Sequence, residues 1–124
     1  MNSSFMVNGL FKAIDEMDVE VFCAFLADDA SFKFGNSDTV TGKAAIKEYV
    51  AGFFSGISGM SHTIDDILTD GNILSIRGEV TYIRKDSSRL TVPFANYFKL
   101  ENELIKSYQI YADVSQLFAP VEAG

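Results

Sequence analysis

The hydrophobic period of the chain changes once, near Gly59. Before it, apolar residues recur three and four apart: Val7, Leu10, Phe11 and Ile14 after Ser3 and Ser4, either a plausible N-cap. Asp18 is placed to cap a second helix with Val21, Phe22, Phe25 and Leu26 on one face, ended by Asp28 and Asp29. Ala30 to Phe34 is short and β-like, and Asn36 to Gly42 is turn-rich. A third helix is predicted from about Lys43 to Ser55, with Ile46, Tyr49, Val50, Phe53 and Phe54 as its stripe. After Gly59 the period is two. Ser61 to Thr69 alternates, with His62, Ile64, Asp66 and Leu68 on one face. Asp70-Gly71-Asn72 signals a hairpin. Strands follow over Ile73–Arg84, Arg89–Leu100 and Leu104–Val114, with turns at Lys85–Ser88 and Glu101–Glu103. The order ααβαββββ predicts an α+β fold, with helices on one side of a curved antiparallel sheet.

Residues 74–83, LSIRGEVTYI, pose a question of orientation. Leu74, Ile76, Val80 and Tyr82 share one face of this strand, and Ser75, Arg77, Glu79 and Thr81 the other. Alternation alone leaves open which face looks inward.

Composition narrows the classes. The 124 residues suffice for one domain, 1–124, and 48% apolar content supports a sizeable core. A net charge of −7 argues against nucleic acid and against an anionic membrane surface as partners. Cys23 is the single cysteine, so no internal disulfide can form, and a small buried hydrophobe is the expectation. The N-terminal stretch has neither a basic segment nor a long apolar run, and a cytoplasmic location is expected. One histidine and one cysteine supply no recognisable metal-ligand spacing, so no metal and no cofactor are expected.

Four stretches, FLADDASFKF, VTGKAAIKEYV, DDILTDGNILSIRGEVTY and VPFANYFKLENELIKSYQIYAD, together with the element order, resemble the SnoaL-like branch of the NTF2-like superfamily. The resemblance covers nearly the whole chain. It implies a cone: three N-terminal helices on a strongly curved, mainly antiparallel sheet around an apolar pocket. It also implies that Arg77 and Glu79 face the pocket, leaving Leu74, Ile76, Val80 and Tyr82 to be covered by a homodimer through the outer sheet face.

The superfamily's known chemistries match unevenly. Phe34 stands where a ketosteroid isomerase has its Asp base. By spacing, Phe32, Phe34 and Ile110 replace the Tyr, Asn and second Asp that hold water in limonene-type epoxide hydrolases. Asp113 matches the acid/base Asp of SnoaL-type polyketide cyclases, although alternation puts it in phase with Gln109 and Tyr111, opposite Ile110, so that a bulge or one-residue shift is needed to bring it to the pocket rim.

His62, Arg77, Glu79 and Asp113 are therefore the catalytic candidates. Asn96, in phase with Val92, Phe94 and Phe98, is a candidate hydrogen-bonding group. Phe32, Phe34, Tyr49, Phe53, Phe94, Phe98 and Ile110 are candidate pocket lining for a small apolar, cyclic ligand. Two functions stay open. One is a cofactor-independent isomerase, cyclase or hydrolase working by proton transfer. The other is a non-catalytic ligand-binding or dimerisation module with a structural Arg77–Glu79 pair.

Overall fold

The computed structural model describes residues 3–118, with side chains from Met6 onward. The elements are α1 (Ser3–Asp15), α2 (Val19–Ala24), β1 (Leu26–Phe34), β2 (Val40–Thr41), α3 (Lys43–Ser55), β3 (Gly59–Asp70), β4 (Ile73–Ile83), β5 (Arg89–Glu101) and β6 (Leu104–Ala112). The expected α+β architecture is present, with the helices ahead of the long strands. Ser3 and Ser4 belong to α1, and the capping role expected of them lies outside the described residues. Asp18 caps α2 as its position suggests, accepting the Val21 N–H at 3.1 Å.

The helix α2 is shorter than the spacing predicts. It closes at Phe25, and Leu26, Asp28 and Asp29 belong to β1. The reason is tertiary. The Phe25 carbonyl accepts the Ile105 N–H at 2.8 Å, and β1 runs parallel to β6 from there. Long-range pairing outweighs local periodicity over these residues. The single six-stranded sheet has the order β2-β1-β6-β5-β4-β3, antiparallel except at β1–β6.

Directly paired residues share a sheet face, and this decides the orientation of β4. Ile76 pairs with Asn96 and Val80 with Val92, while Arg77 pairs with Ala95 and Glu79 with Pro93. Leu74, Ile76, Val80 and Tyr82 are each at most 2% exposed, packed in the same core as Leu10, Ile46 and Phe98. Arg77 and Glu79 are exposed. This corrects the inward placement of Arg77 and Glu79. It also corrects the dimer surface assigned to Leu74, Ile76, Val80 and Tyr82, since these four residues fill the core of their own chain. Burying four apolar side chains is favourable, whereas burying an ion pair costs desolvation of both charges.

The phase of β3 is corrected as well. Register shifts between Ile64 and Asp66, so Asp65 is an extra residue. Before it, His62 lies beside inward Val80; after it, Asp66 lies beside outward Arg77. Thus His62 and Asp66 are on opposite faces, and Asp66 accepts from the Arg77 guanidinium at 2.9 and 2.5 Å. Gly78 makes the bulge sterically allowed. A Cβ there would stand 1.9 Å from the Thr63 carbonyl oxygen.

Candidate functional site

The site begins where the end of α1 meets the start of β3. Asp15 is the last residue of α1, one helical turn after Phe11. Its Oδ2 accepts the His62 backbone N–H at 3.1 Å, and its Oδ1 lies 2.6 Å from His62 Nδ1. An ionised carboxylate only accepts, so this contact assigns the proton to Nδ1. In that tautomer Nε2 is the nitrogen that carries the lone pair. Phe11 and Phe94 pack edgewise on the imidazole, with centroids at 4.8 and 5.0 Å. The His62 side chain is 8% exposed and Asp15 29%. The ring is packed by two neighbouring aromatics, whose own centroids are 6.0 Å apart, and held at one nitrogen by a carboxylate.

His62 lines a cavity of about 50 Å³ between the helices and the inner sheet face. Most of its wall is apolar, including Phe22, Phe32, Phe34, Phe53, Phe94 and Ile110. None of the described residues lining it is a lysine, arginine, aspartate or glutamate. Its other polar groups are Asn96 and the tyrosines Tyr49, Tyr82 and Tyr108. Asn96 is 3% exposed, and its Oδ1 is the one buried side-chain polar atom among the described residues without a hydrogen-bond partner. Burial pushes the Tyr82 and Tyr108 phenols well above the ordinary tyrosine range, so both remain potential proton donors in hydrogen bonds.

Phe34, Tyr49 and Phe53 also line a larger outer cleft of about 840 Å³. These three rings separate the inner cavity from the cleft. Tyr49 is tethered there, its hydroxyl donating to Ser37 Oγ at 3.3 Å. Phe118 packs on Phe53 with centroids 6.0 Å apart. The Arg84 guanidinium holds the segment just before Phe118, donating to the Gln116 and Leu117 carbonyls at 3.0 and 3.2 Å.

The structure thus brings together His62, Asn96, Phe32, Phe34, Tyr49, Phe53, Phe94 and Ile110 from the sequence expectation. It does not bring Phe98, which is fully buried against Tyr108 and lines no part of the cavity. Asp113 is exposed beyond the end of β6 and lines the outer cleft. The Ser115 side chain, together with the Ser115 N–H donating to the carboxylate at 3.0 Å, holds its pKa below the ordinary aspartate value. Asp113 therefore belongs to the cleft rim rather than the inner cavity. Arg77 and Glu79 are exposed on the outer sheet face, away from the inner cavity, and Arg77 lines a shallow outer pocket that Asp113 also borders.

Sequence reasoning missed Asp15, Tyr82 and Tyr108. Tyr108 was legible, because it is two residues from Ile110 on the same strand face. Asp15 carried only a weak signal, its i+4 spacing from Phe11.

The fold is thus a helical layer on a six-stranded mixed sheet, with a carboxylate-held imidazole at the wall of an apolar cavity. Residues 7–108 match the SnoaL-like domain family, and the chain belongs to that family. Among solved structures, it is similar to an NTF2-like protein of unknown function from Burkholderia pseudomallei. The TM-score is 0.85 at 16% identity, covering 99% of this chain and 100% of that one. A hypothetical protein with a ketosteroid isomerase-like fold from Catenulispora acidiphila, in complex with trimethylamine, gives a TM-score of 0.78. Identity is 21%, and 85% of this chain and 82% of that one are covered. An LEH-like epoxide hydrolase from M. tuberculosis gives a TM-score of 0.76 at 19% identity, covering 90% and 83%. At these identities the likeness is one of fold. A search of curated protein sequences found no match. Among the described residues, no helix is long and apolar enough to cross a membrane.

Proposed function

We propose that this protein is a cofactor-independent acid–base enzyme in which His62 Nε2 moves a proton on a small, largely apolar ring compound. The observation that carries this reading is the Asp15–His62 contact of 2.6 Å at the wall of an apolar cavity. Asp15 is the positioning residue. It keeps the proton on Nδ1, so that Nε2 is the basic nitrogen, and its charge stabilises the imidazolium formed when Nε2 takes a proton. The aromatic wall excludes water and selects an apolar substrate. At about 50 Å³ the cavity is well below the several hundred Å³ usual for a small-molecule pocket, so a ring enters by displacing the Phe34–Tyr49–Phe53 wall from the outer cleft side.

A second reading, ligand binding without chemistry, is favoured by the apolar residues Phe32, Phe34 and Ile110 around the cavity. Deuterium exchange separates the two. Small cyclic ketones and polyphenols are incubated with the protein in D₂O and followed by proton NMR. Acid–base catalysis predicts exchange of carbon-bound protons above the buffer rate. His62→Ala should slow it by about 10²-fold or more, the usual contribution of a general base. Exchange that is equal in the two proteins would leave the binding module.

A further inference from the structure

Asn96 occupies a position that a core side chain does not need to fill with an amide. On the inner face it is flanked by Ile76 on β4 and Ile110 on β6. It is 3% exposed, and its Oδ1 meets no donor. A buried amide oxygen left unpaired is destabilising relative to an apolar residue of the same size. Such a group is explained by a partner that arrives from outside the chain.

Its place relative to His62 limits what that partner can be. His62 lies beside Val80, and Asn96 beside Ile76, four residues away along β4 and on the opposite flank. Four residues of strand are about 13 Å, so one atom cannot bond to both side chains. Both nevertheless line the same cavity. A ligand that engages them must span the space between, with its reacting end at His62 and an anchor at Asn96. The anchor must offer a donor to Oδ1. The cavity wall has no described Lys or Arg to balance an anion and no described Asp or Glu to balance a cation. An epoxide, ether or ester oxygen only accepts, and would leave Oδ1 unpaired.

We propose that the ligand is a neutral ring compound bearing a hydroxyl group, and that Asn96 is the residue that selects it by reading that hydroxyl. The assignment of the reacting end rests on the acid–base reading of His62; the anchor rests on Asn96 alone.

The test uses three one-ring probes at neutral pH: phenol, anisole and benzoate. Affinities are measured by calorimetry or by NMR titration of the full chain. Phenol binds about tenfold tighter than anisole, the worth of one buried hydrogen bond, and benzoate binds more weakly than phenol. In Asn96→Leu the phenol preference disappears while anisole binds as before. Equal binding of phenol and anisole to the native protein, tightest binding of benzoate, or no detectable binding of phenol overturns the proposal. So does a phenol preference that survives in Asn96→Leu. Should that variant not fold, the three affinities of the native protein decide. Nitrogen-15 NMR of His62 keeps the two readings apart. A protonated Nδ1 with no phenol preference sinks the ligand class alone. A phenol preference with the proton on Nε2 sinks the acid–base reading alone.

Discussion

Asp15 engages His62 twice, taking its backbone N–H at 3.1 Å and its ring Nδ1 at 2.6 Å. One carboxylate therefore fixes both the position of β3 against α1 and the tautomer of the imidazole. Asp15→Ala removes the acceptor of both donors. Stability should fall by about 1–3 kcal/mol, the cost of leaving partly buried donors unpaired. The His62 nitrogen-15 shifts should move toward a mixture of tautomers. A variant with native stability and an unchanged tautomer would show that Asp15 does not hold the ring.

Gly78 is required by its neighbour rather than by its own dihedrals. Gly78→Ala drives a methyl into the Thr63 carbonyl, and backbone cannot rotate away as a side chain tip does. The expected loss is at least about 2 kcal/mol, within the range reserved for strain and overpacking. Urea denaturation measures it. A loss below about 0.5 kcal/mol, typical of a neutral surface change, would mean that the Thr63–Asp66 bulge is not rigid.

Asn96→Leu provides a stability test without ligand. Replacing an amide whose buried oxygen has no partner by an apolar residue of similar volume should keep stability or raise it by up to about 2 kcal/mol. Thermal melts of the free protein decide. A marked drop would mean that the amide is hydrogen-bonded within the chain.

Arg77→Ala and Glu79→Ala change only the outer face. Arg77 and its partner Asp66 are 66% and 53% exposed, where solvent screens the pair. The urea midpoint and the affinity for phenol should both match the native protein. Loss of phenol binding in either variant would put these charges back at the cavity.

Tyr82 and Tyr108 have phenols raised by burial. The sign follows from proton counting. Above about pH 10 the unfolded chain loses these protons first, while the native chain keeps them. The unfolded state then binds fewer protons, and native stability falls as pH rises. Alkaline melts of Tyr82→Phe should show a shallower fall than the native protein. Tyrosinate absorbance of the folded protein at about pH 11 should be unchanged by Tyr82→Phe. A loss of absorbance in that variant would mean that Tyr82 ionises while folded.

Much of the architecture was legible in local pattern. The third helix runs from Lys43 to Ser55 as its stripe predicts, and the β4–β5–β6 meander closes within two residues of the expected ends. The inward phase of Asn96 with Phe94 and Phe98 was legible for the same reason. The cavity lining followed in large part, because Phe32 and Phe34 alternate with polar residues on β1. The resemblance to a known family identified the fold, but its pocket-facing Arg77 and Glu79 did not transfer.

By itself, the sequence determined which residues travel together: period-two alternation separates Leu74, Ile76, Val80 and Tyr82 from Arg77 and Glu79 without saying which set is inside. Tertiary structure decided the rest. Packing against the helices turned the apolar set inward, on the sheet face that Asn96 and Phe94 of β5 share. The contact of Gly78 with Thr63 permitted a bulge that reversed the phase of β3 and parted His62 from Asp66. The packing of α1 brought Asp15 to His62 across 47 positions of sequence. Such pairings depend on which surfaces close on each other, and no local period along a chain encodes that.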